Sequence, residues 1–152
     1  MEQPIKILLR LGLLCWTTLF WGWKRGWVTR KDIIEYAVNL MMESKVEGDE
    51  NVVLIASGES FGDSELESLV YERVKNGDQG VSIDKWRLAH LISLAESDTS
   101  EQEKIDALQE LYAEFEYPED MASCSIYAQD EADPLTVMME VINTQKERFS
   151  CQ

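Results

Sequence analysis

Ser100-Glu101-Gln102-Glu103-Lys104-Ile105-Asp106-Ala107-Leu108-Gln109-Glu110-Leu111-Tyr112-Ala113-Glu114-Phe115-Glu116 is the stretch that decides the fold class. Ile105, Leu108, Tyr112 and Phe115 fall on one side of a helical wheel, and Glu103, Asp106, Glu110 and Glu114 on the opposite side. Ser100 with Glu103 makes a capping-box pattern at its start. Pro118 disfavours helical geometry in Tyr117, so the helix should stop near Glu116.

At about 100° per residue, the four carboxylates line up in one stripe. Like charges three or four positions apart cost about 0.2–0.5 kcal/mol each, so three successive pairs cost on the order of 1 kcal/mol, with no basic residue placed to relieve them. Such a stripe serves either as a solubilising face or as a preformed surface for a cationic partner, whose complementary potential speeds encounter. Glu116, Glu119, Asp120, Asp130, Glu131 and Asp133 extend the same surface beyond the helix.

The rest of the chain repeats the helical pattern. Trp16, Phe20 and Trp27 recur at intervals of four and seven, with Gly22 and Gly26 as a break. Thr29 with Asp32 is a second capping box, followed by Ile33, Ile34, Ala37, Val38 and Met41 as an inward stripe. Asp63 to Lys75 carries Leu66, Leu69, Val70 and Val74 on one face and ends at Asn76-Gly77, where glycine accepts the left-handed C-cap. Ser82 can cap a helix through Trp86 and Leu94 to about Glu96, and Asp133-Pro134 opens a last helix with Leu135, Met138, Ile142 and Phe149 inward. Glu47 to Asn51 reads as linker. Val52 to Ala56 fits a short strand as well as the start of a buried helix.

The chain has 152 residues, the length of one domain, and 45% of them are hydrophobic, including five tryptophans, so it carries a real core despite a formal charge of −15. That charge repels phosphate backbones and anionic membrane surfaces, which excludes nucleic acid and membrane as partners and favours a basic protein. Between residues 100 and 133 there are 11 acids and one cation, Lys104. Three cysteines, Cys15, Cys124 and Cys151, have no disulfide or zinc spacing and suit a reducing cytoplasm. Ile5 to Trp23 is apolar, but Lys6, Arg10, Gly12, Thr17 and Thr18 interrupt it and no small-residue cleavage site follows, so it reads as core helix.

Chemistry-bearing patterns are few. Gly58-Glu59-Ser60-Phe61-Gly62 matches the G-x-S-x-G nucleophile elbow, which needs a strand before it and a histidine base, for which His90 is the one histidine. The spacing of His90 from Ile83, Trp86 and Leu94 suits a half-buried core histidine better. With one histidine and no thiol cluster, no zinc or copper site is expected. Neither Asp49-Glu50-Asn51 nor Asp130-Glu131-Ala132-Asp133 continues into a calcium loop. The tryptophans near Lys24 and Arg25 suggest packing more than base stacking, since no wider basic patch accompanies them.

Glu114-Phe115-Glu116-Tyr117-Pro118-Glu119-Asp120-Met121 with Tyr127, Trp86, and Trp16 through Ile34 with its Trp-Gly-Trp-Lys-Arg-Gly-Trp stretch resemble a bacterial domain family of unknown function marked by a Tyr-Pro-Glu segment. After Met121 the chain departs from that pattern, with Ala-Ser-Cys-Ser in place of a more aromatic stretch. In size, charge and class it is also similar to immunity proteins of bacterial toxin systems. That likeness implies a protein that binds and blocks a toxin, often a basic nuclease.

The expectation is an all-α single-domain bundle of five to seven helices over residues 1–152, with Val52-Ile55 as the candidate for one short strand. The expected function is that of a non-catalytic, cytoplasmic acidic binding protein without cofactor or metal. Its partner would be a basic protein such as a toxin, held by Glu103, Asp106, Glu110, Glu114, Glu116, Glu119, Asp120, Asp130, Glu131 and Asp133. The alternatives are a small serine hydrolase centred on Ser60 and a structural or oligomerising module.

Overall fold

In the computed structural model the protein is all-α. The structure describes residues 2–43, 50–74, 79–126 and 132–150. Among them run eight α-helices: α1 (Pro4–Arg10), α2 (Trp16–Lys24), α3 (Arg30–Met42), α4 (Glu50–Ala56), α5 (Asp63–Tyr71), α6 (Gln79–Ala95), α7 (Glu101–Glu114) and α8 (Pro134–Ser150), with 3-10 turns at Gly58–Ser60 and Glu119–Cys124. No strand occurs among the described residues. Val52 to Ile55 lies inside α4, with Val52 and Ile55 buried and Val53 and Leu54 exposed. The Asn76-Gly77 stop and most of the Glu47–Asn51 linker lie outside the described residues.

Contacts gather the chain into two compact units, Leu14–Ile83 and Met1–Leu13 with Asp84–Gln152. In the first, α3 and α4 pack as an antiparallel pair. Arg30 at the start of α3 reaches past the end of α4, donating to the carbonyls of Gly58 (2.8 Å) and Phe61 (2.5 Å) and pairing with Asp63 (2.7 Å). Gly58 leaves room for the side chains packed over it: a Cβ there would meet Leu66 Cδ1 at 3.1 Å. The Thr29–Asp32 capping box forms, each side chain bonding the other's backbone amide. Only Ile33 and Ala37 of the expected inward stripe are buried, whereas Val38 and Met41 are exposed. Lys24 pairs with Glu67.

In the second unit, the run Trp86 to Leu94 of α6 is buried on nearly every side, Arg87 and Ser93 included, with His90 alone half-covered. Ser82, expected as its cap, is buried within it because the helix begins at Gln79. Ser93 Oγ donates to the Glu2 carbonyl (2.6 Å), tying the N-terminus to α6. Asp133 precedes α8, its backbone carbonyl accepting from Val137 and its carboxylate from the Thr136 hydroxyl (3.1 Å).

Candidate functional site

Helix α7 shows the expected asymmetry. Leu108 is fully buried, Phe115 nearly so, and Glu103, Asp106, Glu110 and Glu114 are exposed. Ser100 caps the helix by accepting from the Glu103 amide (3.2 Å), while the Glu103 carboxylate stays in solvent. Gln102 donates to Asp106 (3.0 Å). Lys104, the one cation of the stretch, turns away and donates to the Ala95 carbonyl at the end of α6 (3.2 Å). Among the described residues, no cation lies within ion-pair distance of Glu103, Asp106, Glu110, Glu116 or Glu119.

The end of α7 is a Schellman motif: the Tyr117 amide bonds the Tyr112 carbonyl (2.9 Å) and the Glu116 amide the Ala113 carbonyl (3.0 Å). Glu116 therefore occupies the left-handed position at φ 61°, and Tyr117 follows at 57°. The helix stops at Glu114, two residues before the point expected from Pro118 alone. Tyr117 stands 64% exposed, its ring edge-on to Tyr112 at 5.1 Å.

Asp120 has a different environment from its acidic neighbours. Its carboxylate grips Arg87 with both oxygens, at 2.7 and 3.0 Å, and accepts from Gln145 at 3.2 Å. Arg148 donates to Gln145 (3.2 Å) and to Asp84 (2.8 Å), and Asp84 lies 3.6 Å from Arg87. Five side chains from α6, the 3-10 turn and α8 thus close a ring with two positive and two negative charges. Arg87, 5% exposed, is the member that requires it, because a buried guanidinium needs a paired carboxylate. Gln109 of α7 completes the anchorage, donating to the Cys124 carbonyl (2.8 Å) and accepting from the Ile126 amide (3.1 Å). Arg87, Gln109 and Gln145 were not singled out by sequence; the signal that existed was an arginine inside the apolar run after Trp86.

Of the other expected site residues, Asp133 is exposed at the start of α8, and Asp130 and Glu131 lie outside the described residues. Burial pushes the Cys124 thiol up to about 11, with Asp120 adding to the rise and Arg87 opposing it, so it stays protonated. Burial also lowers His90, against a bond between Nδ1 and the Trp86 carbonyl (2.8 Å) and the nearby Glu114 charge, and its ring meets Phe115 edge-on at 5.5 Å. Ser60 sits exposed in the 3-10 turn after helix α4, without the preceding strand that a nucleophile elbow uses, and no described side chain hydrogen-bonds it. No group of three His, Cys, Asp or Glu among the described residues is placed to hold a metal, and no helix there is long and apolar enough to cross a membrane.

A family model described as an uncharacterised protein conserved in bacteria, DUF2247, matches residues 7–149. The chain belongs to that family. The match takes in both compact units, the acidic helix and the Arg87 ring. No curated protein and no solved structure matches the chain.

Proposed function

We propose that this DUF2247 chain is a non-catalytic, cytoplasmic binding protein whose acidic face docks a basic protein, as an immunity-type inhibitor docks its toxin. The observation that carries the reading is the row of Glu103, Asp106 and Glu110 along α7, exposed and without a pairing cation among the described residues. The fold tolerates a repulsion on the order of 1 kcal/mol there, which a cationic partner would reverse. Glu114 at the end of α7, and Glu116 and Glu119 beyond it, continue the face, and exposed Tyr117 offers an aromatic surface among them for an arginine or lysine head group. Asp120 belongs to the scaffold of this face, since its oxygens are occupied by Arg87 and Gln145.

The test is capture from the native host's lysate at low and moderate salt, with a variant reversed to lysine at Glu103, Asp106, Glu110, Glu116 and Glu119 as control. Asp120 is kept so that the control folds. A basic protein retained by the wild type alone, released by salt and inhibited when the pure chain is added back supports the reading. Equal retention by the reversed variant, or nothing retained at low salt, overturns it.

A further inference from the structure

Within the unit Leu14–Ile83, the α3–α4 pair leaves an apolar face uncovered. A groove of about 740 Å³ runs along it, floored by Ile34, Val38 and Ala56 and rimmed by Lys31, Glu35 and Glu59. Besides Val38, which is 37% exposed, the two helices carry exposed apolar side chains outside the groove lining: Met41 at 41% and Met42 at 77% on α3, and Val53 at 42% on α4. Ile34, Val38 and Met41 repeat at four and three residues, and Val53 and Ala56 at three, so each helix presents a stripe. Two antiparallel helices with stripes still exposed are half of a four-helix arrangement.

The rim indicates what completes it. Arg30 is engaged by Asp63 and two carbonyls, whereas Lys31, Glu35 and Glu59 are exposed and lack ion-pair partners among the described residues. A partner of one strong charge would meet repulsion at one side of this rim for attraction at the other. Both signs around an apolar floor make the surface complementary to itself, which is what a two-fold contact requires. Nor does the chain's charge forbid the contact: residues 14–83 hold 12 acids against seven cations, while the remainder holds 17 against seven.

We propose that a second copy of this chain closes the α3–α4 face, forming a two-fold dimer. The two α3 helices approach antiparallel near Ile34, so that Lys31 of each copy meets Glu35 of the other and Val38 lies in the shared apolar seam. This surface shares no residue with α7, so dimerisation and capture of a basic protein are tested by different substitutions.

The test is sedimentation equilibrium of the full chain at moderate salt over a wide concentration range, with far-UV circular dichroism as the folding check. The wild type is expected to reach twice the chain mass, and Val38→Glu to stay at the monomer mass. Lys31→Glu should weaken association about tenfold, and adding Glu35→Lys to the same chain should restore it, because the swapped charges meet again across the two-fold. A wild type monomeric at every concentration overturns the proposal. So does a dimer unchanged by Val38→Glu, or a charge-swapped chain that stays as weak as Lys31→Glu.

Discussion

The face of α7 and the 3-10 turn Glu119–Cys124 are neighbours in sequence and equally rich in acids, yet the fold treats them in opposite ways. On α7 the carboxylates of Glu103, Asp106 and Glu110 stand in solvent without a pairing cation among the described residues. Six residues beyond the end of the helix, Asp120 is drawn against a buried arginine and locked by a glutamine. The difference lies in what each carboxylate meets across the core, since α7 turns its acids outward while the turn brings Asp120 to Arg87. An acid's meaning here is set by a residue 33 positions away, not by its own neighbours.

The sharpest way to break the comparison is to remove Asp120. Asp120→Ala leaves Arg87 buried with only the longer contact to Asp84, and it should cost about 2–3 kcal/mol in urea unfolding, reduced from a fully buried pair because Asp120 is partly exposed. Glu110→Ala on the face should change stability by less than about 0.5 kcal/mol. Equal effects at the two positions would mean that the ring around Arg87 holds nothing.

Between the two stretches stands Glu116, and it sharpens the contrast in the other direction. Three helices end in the same motif: Leu13 bonds back to Leu8, Trp27 to Gly22 and Tyr117 to Tyr112. At the left-handed position the first two have Gly12 and Gly26, at φ 71° and 80°, and the third has Glu116. Glycine adopts that conformation without Cβ strain. Gly26→Ala should therefore destabilise by about 1 kcal/mol, although a Cβ there meets nothing within 4 Å, and Glu116→Gly should stabilise by about 0.5–1 kcal/mol. Thermal unfolding checks both signs. A Glu116→Gly chain less stable than wild type would show that the carboxylate makes a contact offsetting its strain.

These regions differ equally in how legible they were. The helical period of α7, its cap at Ser100 and its acid stripe follow from local spacing, as does the Thr29–Asp32 box. His90 as a half-buried, hydrogen-bonded residue was also readable from its helix face. Val52–Ile55 was ambiguous because a short apolar run suits a strand or a helix, and packing of Val52 and Ile55 against neighbouring helices decided it. Val38 and Met41 carry the right spacing for a core stripe, but two helices cover only part of that arc. The Arg87 ring was hidden because its two helical pairs, Asp84 with Arg87 and Gln145 with Arg148, meet each other and Asp120 only in the tertiary structure, and residues so far apart leave no periodic trace.

The smallest effect tests whether the open face costs the chain anything. Glu110→Gln removes one carboxylate from the centre of the stripe, next to Asp106 and Glu114 at four residues on either side, and should stabilise the isolated protein by about 0.2–0.5 kcal/mol at low salt. The gain should fade as salt rises, since exposed charges are screened within about 10 Å at 0.1 M. Denaturant midpoints at two ionic strengths separate this from a loss of packing, which salt would not erase. A gain in stability paired with weaker capture of a basic partner would place the repulsion in the service of binding. If Glu110→Gln destabilises at low salt, the carboxylate has a favourable partner in the folded chain, and the face is less open than its exposure suggests.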